Sequence, residues 1–135
     1  MSAPDPEKIV RKAYAALARG DLPGLLHVFA PDMVWDSRYP KGVPFGGVWR
    51  GHDEIVDRLF NGLVNAISME IFETREILSS AGTVIALGYE RSLVRATGRV
   101  YENEWTHVWR LRDGLLVSLR TYNDNDAIAA AFATG

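Results

Sequence analysis

The chain has no cysteine. Disulfides, thiolate metal sites and cysteine nucleophiles are therefore excluded, an absence that carries no information on redox compartment. No apolar run approaches the roughly 20 residues that a membrane span requires. Met1 to Glu7, with two prolines and two acids, lacks the pattern of a secretory signal, so a cytoplasmic protein with no membrane partner is expected. There is no excess of positive charge either. Fifteen Lys and Arg stand against 17 Asp and Glu, a net charge of -2, so no footprint for nucleic acid is present. No glycine-rich phosphate loop follows a strand pattern, and no nucleotide or other cofactor is expected. Asp36, Glu90, His107 and Asp124 are too scattered along the chain to suggest a metal site, and none is expected. Repeats and low-complexity tracts are absent. What is there, 135 residues of which 47% are hydrophobic and 24% charged, fits one domain over residues 1–135 with a real core and with disorder confined to its ends.

Asp5 or Glu7 opens a first helix with Ile9, Val10, Ala13 and Leu17 on one face, ending at Gly20. Asp21 caps a second, short helix that has Pro23 in its first turn and buries Leu25, Leu26, Val28 and Phe29, and Ala30-Pro31-Asp32 ends it. Met33 to Asp36 reads as a short strand. Ser37 to Gly51, rich in glycine and proline, reads as a loop with the makings of a lid. A third helix starts near Gly51-His52-Asp53-Glu54, with Ile55, Leu59, Leu63 and Ile67 at helical spacing. From Ser68 the period becomes two. Met69–Leu78, Thr83–Arg95, Arg99–Arg112 and Leu115–Tyr122 then form an antiparallel meander, and Asn123 to Asp126 opens a final short helix through Phe132. Helices first and a meander after predict an α+β domain with the helices on one sheet face.

The informative stretch is Tyr101-Glu-Asn-Glu-Trp-Thr-His-Val-Trp109. Strand alternation puts Tyr101, Asn103, Trp105, His107 and Trp109 on one side, aromatic walls around an amide and an imidazole, which suits the lining of a pocket for a small hydrophobic ligand. If Thr97 and Gly98 are the central residues of a hairpin, Trp105 faces Glu90, His107 faces Gly88, and Glu90 becomes a diagonal neighbour of His107. A carboxylate beside an imidazole is an acid/base arrangement. The plainer reading is a core histidine bonded to a carbonyl or water, with Glu90 paired to an arginine at the rim. The next hairpin has two forms. A three-residue Arg112-Asp113-Gly114 loop points Leu119, Thr121 and Asn123 inward, and a two-residue Asp113-Gly114 turn points Arg120, Tyr122 and Asp124 inward; the burial of Arg120 disfavours the second. Asp124 then either caps the last helix or serves in catalysis. Tyr14 shares a helix side with Val10 and Leu17, as a cavity hydroxyl or as a core ring with a wet tip. Trp35 and Trp49 flank the loop and shape the mouth or cover a core edge, and His27 and His52 read as solvated.

The segments Tyr-Ala-Ala-Leu-Ala-Arg-Gly-Asp-Leu (14–22), Phe-Ala-Pro-Asp-Met-Val-Trp (29–35), Gly-Gly-Val-Trp-Arg-Gly (46–51) and His-Val-Trp-Arg-Leu-Arg-Asp-Gly (107–114) resemble the SnoaL-like branch of the nuclear transport factor 2-like superfamily, which includes polyketide cyclases, ketosteroid isomerase and limonene-epoxide hydrolase. The resemblance spans roughly residues 9–132. It implies a cone-shaped barrel, a strongly bent antiparallel sheet wrapped around three N-terminal helices with a short C-terminal helix, open to small apolar ligands. It places the isomerase's tyrosine, base and protonated acid at Ala13, Ser37 and His107, and the epoxide hydrolase's set at Glu90, Ser92 and Thr121, so neither set is retained. The cyclases' aspartate falls nearest Asp124. Two functions are expected. One is a cofactor-free cyclase, isomerase or dehydratase, with an epoxide hydrolase-like activity further off; His107, Glu90, Asp124 and Tyr14 are its catalytic candidates, and Trp35, Ser37, Trp49, Tyr101, Asn103, Trp105, Trp109 and Thr121 its substrate contacts. The other is a non-catalytic binding protein with the same pocket, and a purely structural dimer comes third. Apolar residues on both faces of the last strands predict a homodimer.

Overall fold

The computed structural model describes residues 5–134; the expectations made for the outermost residues, terminal disorder and the lack of a secretory signal, fall largely outside them. The Asp5 carboxylate accepts from the Glu7 amide and Pro6 fills the first turn, so α1 (Pro6–Arg19) begins where the sequence puts it and stops at Gly20, whose φ of 66° is left-handed. Asp21 caps α2 (Leu22–Val28) through the Gly24 amide. The third helix is continuous but uneven. α3 (Gly51–Glu54) runs into a π-helical segment (Ile55–Phe60) and then into α4 (Asn61–Ala66), with right-handed dihedrals at every junction. A short α5 (Asn125–Phe132) follows the sheet. No helix among the described residues is long and apolar enough to cross a membrane.

Six strands, β1 (Phe29–Ser37), β2 (Gly47–Arg50), β3 (Ile67–Ser80), β4 (Thr83–Val94), β5 (Val100–Arg112) and β6 (Leu115–Tyr122), form one sheet in the order β2-β1-β6-β5-β4-β3. β1 joins β6 in parallel and every other pairing is antiparallel. The sheet curves without closing, its edges being β2 and β3, and α1 lies across the concave face in contact with β3, β4 and β6. Two expectations are corrected in this region. Ser37 to Gly51 is not all loop, because Gly47–Arg50 pairs with β1; and β1 takes in Phe29 to Asp32, which the sequence assigned to the end of a helix. Phe29 is still buried, but from the sheet.

Both hairpin expectations are corrected as well. The β4–β5 connection is five residues long, so Glu90 pairs with Asn103, Gly88 with Trp105 and Ala86 with His107. The register is two residues from the one expected. An even shift keeps Glu90 on the inner face but takes it out of His107's reach. Between β5 and β6 the turn is the two-residue Asp113-Gly114 form, with φ of 52° and 78°, yet Leu119 and Thr121 still point inward. The reason is a bulge. Leu111 pairs with Leu116 and Arg110 with Ser118, so Val117 is an extra residue that restores the apolar face.

Gly88 is set by packing rather than by φ. A Cβ there would lie 2.1 Å from both the Glu73 carbonyl oxygen and the Trp105 ring, because the indole lies flat on the strand. Gly88→Ala should therefore lower stability by roughly 2–3 kcal/mol, read as a lower midpoint in urea unfolding with the slope unchanged.

Candidate functional site

Side chains from five strands meet on the concave face. Alternation on β5 buries Tyr101, Asn103, Trp105, His107 and Trp109 while Glu102, Glu104 and Arg110 stay outside. The register lines Ser37, Thr121 and His107 in one row across β1, β6 and β5, and Asn103, Glu90 and Phe72 in another across β5, β4 and β3. Between this floor, α1, the third helix and the loop carrying Tyr39 and Phe45 lies a cavity of about 700 Å³ with mostly apolar walls. Exposed Asp57, Asn61, Val64 and Met69 mark its mouth. A second hollow of about 470 Å³, on the outer side of α1 and α2, is lined by exposed Lys12, Arg19 and His27 and holds no buried polar side chain.

His107 is 8% exposed and its imidazole pKa is pushed down to about 3 by burial, so the ring is neutral near pH 7. Its tautomer follows from its neighbours. Trp109 Nε1, which can only donate, bonds the Tyr14 oxygen at 3.0 Å, and His107 Nδ1 at 2.7 Å is the acceptor that the described residues offer to the Tyr14 hydroxyl proton. The proton on the ring is therefore at Nε2. That nitrogen has no partner among the described residues and is not sealed off, so it presents an N–H donor to the cavity. Burial raises the Tyr14 pKa, an effect that the bond from Trp109 only partly offsets, and keeps the hydroxyl protonated. Trp105 stacks on His107 with centroids 4.1 Å apart and on Phe72 at 4.9 Å, which fixes the ring plane.

Glu90 is 3% exposed and accepts from Ser92 Oγ at 2.5 Å, Tyr101 Oη at 2.9 Å and Asn103 Nδ2 at 3.0 Å. Asn103 also donates to Asn123 Oδ1 and accepts from the Asp124 amide, while Asn123 reaches Thr121 Oγ1 and the Arg38 carbonyl. Burial first, and then the charge of Glu90, raises the pKa values of Tyr39 and Tyr101.

The cavity thus brings together Tyr14, Trp35, Ser37, Glu90, Asn103, Trp105, His107, Trp109 and Thr121. Tyr101 supports Glu90 without lining it, Trp49 bonds the Phe45 carbonyl, and neither faces the space. Asp124 is exposed at the N-cap of α5 with no side-chain cap bond and also lies outside the cavity. The diagonal contact expected between Glu90 and His107 is not formed, and no arginine pairs with Glu90 among the described residues. Asp36 stands on the outer face, paired to Arg38 and Arg120. His52 is not solvated: its Nε2 donates to the Phe29 and Ala30 carbonyls. Sequence reasoning missed Tyr39, Phe45, Phe60 and Phe72. Only Phe72 had a signal, its place in the alternation of β3 opposite Glu90. Among the described residues no group of three or more His, Asp or Glu is arranged to hold a metal ion.

Below pH 6.5 the unfolded chain protonates His107 and the folded chain does not, so this group's contribution to stability is full above about 6.5 and falls as pH drops toward about 3. Replacing it by a side chain that does not titrate removes that slope. His107→Gln should make stability less pH-dependent between pH 4 and 6, by up to about 1.4 kcal/mol per pH unit, measured by urea unfolding of both proteins across that range. Tyr14→Phe strands the Trp109 donor and should cost about 1–3 kcal/mol in the same assay.

A family model described as the SnoaL-like domain matches residues 10–119. An uncharacterized protein of Mycobacterium tuberculosis is 30% identical over 125 residues, 92% of each chain. An NTF2-like protein of Burkholderia thailandensis, known from a crystal structure, is 30% identical with a TM-score of 0.88, over 99% of this chain and 100% of that one. TerC, co-crystallized with polyporic acid, shares the fold at a TM-score of 0.83 and 21% identity, over 96% of this chain and 98% of its own. With a family model over most of its length and a relative of equal span, this chain belongs to the SnoaL-like family, in the NTF2-like fold.

Proposed function

We propose that the cavity receives a small, largely apolar carbonyl compound, whose oxygen accepts a hydrogen bond from His107 Nε2–H. The hydrogen-bond chain from Trp109 through Tyr14 to His107 carries this reading: it holds a neutral imidazole in the tautomer whose free nitrogen donates. Trp35, Trp105 and Trp109 supply apolar contact. The same chain favours a second reading, a cofactor-free enzyme of the cyclase, isomerase or dehydratase type, because a donor fixed in advance meets charge developing on a carbonyl oxygen without rearranging. That reading takes its proton acceptor from solvent or substrate. Glu90 belongs to the row of Asn103, four residues from His107 along β5, roughly 13 Å of strand.

One experiment separates the two. Aryl ketones and lactones are titrated against the protein by tryptophan fluorescence, then incubated with it in D2O while loss of the protons beside the carbonyl is followed by NMR. Ketones should bind, and His107→Ala should weaken them roughly tenfold while leaving the matching hydrocarbons unchanged. Deuterium exchange faster than in buffer, and lost in His107→Ala, establishes the enzyme. Saturable binding without faster exchange leaves the binding protein. Equal loss of ketones and hydrocarbons in the variant removes His107 as the carbonyl's partner.

We further propose that two copies pair through the outer sheet face, where Leu78, Ile85, Val100 and Tyr122 are each more than a third exposed. Gel filtration should then give about twice the 15.0 kDa of the chain; a monomer at every concentration excludes the pairing.

A further inference from the structure

Glu90 has no part in the carbonyl contact, and its surroundings make it unusual. The carboxylate is 3% exposed, bonded by three uncharged donors, and has no cationic partner among the described residues. Among the described residues no lysine or arginine lines the cavity, and the other charged group of its wall is Asp57, an acid at the mouth. The charged groups that the described residues bring to the cavity wall are therefore both acids. Aromatic side chains stand around the cavity, Tyr39, Phe45, Phe72 and Trp105 among them. Ring faces attract cations, and a site closed to water strengthens both effects.

We propose that Glu90 is the recognition group for a protonated amine, so that the ligand of this cavity carries a cationic nitrogen at the end remote from His107. This rests on reading the cavity as a ligand site, and it narrows the ligand class: apolar bodies bearing an ammonium group are taken, carboxylates and phosphates are turned away. Among the described residues Glu90 Oε1 accepts from Asn103 alone, which leaves it a free lone pair for the ammonium proton. Ser92 and Tyr101 hold Oε2 from behind. Trp105 lies between Asn103 and His107 on the same face of β5, so a molecule that reaches both ends crosses the indole. No proton moves in this recognition.

The test uses three probes with one apolar body: 4-phenylbutylamine, 4-phenylbutanol and 4-phenylbutyrate, each titrated by calorimetry at pH 7 into the full-length protein. The amine should bind roughly tenfold or more tighter than the alcohol, with the carboxylate weakest. Glu90→Gln should bring the amine to the level of the alcohol and leave the alcohol within about twofold; circular dichroism checks its fold. His107→Gln should leave the ratio of amine to alcohol unchanged. Should Glu90→Gln fail to fold, the wild-type ratio decides alone, since equal binding of amine and alcohol overturns the proposal. A ratio that survives Glu90→Gln in a folded variant overturns it too. Neither the amine nor the alcohol carries a carbonyl, so their ratio is independent of the ketone experiment: an amine preference with no ketone binding upholds Glu90 and removes only the role given to His107.

Discussion

The hydrogen bond from Tyr14 to His107 joins the first helix to the middle of the sheet, and it is made at a place where polar atoms are expensive to bury. An imidazole in a water-poor wall is stable only if neutral and at least partly bonded. Tyr14 meets that need from α1 and is itself held by Trp109, so helix, tyrosine, tryptophan and histidine keep their positions together. The position of α1 across the concave face sets the height of the cavity. Chemistry and shape thus share one constraint.

A second network, centred on Glu90, fixes the other half of the floor. It ties β4 to β5 through Asn103 and Tyr101, β5 to the segment after β6 through Asn123, and that segment to the loop after β1 through the Arg38 carbonyl. Its members use neutral donors to hold a charge, which satisfies the carboxylate without cancelling it. The wall of the cavity therefore has a donor at one place and a negative charge at another, with aromatic rings between.

Helix caps at Asp5 and Asp21, the left-handed stop at Gly20 and the four strands after Ser68 were legible, because each rests on local chemistry or on a simple period. The inner face of β5 was legible for the same reason. The hairpin registers were not, since both depend on how many residues the turns absorb: five between β4 and β5, and two between β5 and β6 with compensation by the bulge at Val117. For the site this meant that the right side chains faced inward while their partners were misassigned. Tyr39 and Phe45 could not be found at all, as a loop has no period to mark which of its side chains turn inward. No local pattern decides between core and cavity for Tyr14, since its partner is 93 residues away.

β3 is an edge strand of 14 residues, paired on one side only and exposed along most of its length, with Ile71, Phe72 and Leu78 among its side chains. Such an edge is a template for unwanted strand addition, and its long reach would ordinarily make a protein sticky in the test tube. Two register shifts break its regularity, and Glu70, Glu73, Arg75 and Glu76 place charge along it at short intervals. These residues act as gatekeepers: any chain that tried to extend the sheet would have to desolvate them. The acidic character of β3 thus raises the cost of adding a strand to the one long edge that lies beside the cavity's entrance.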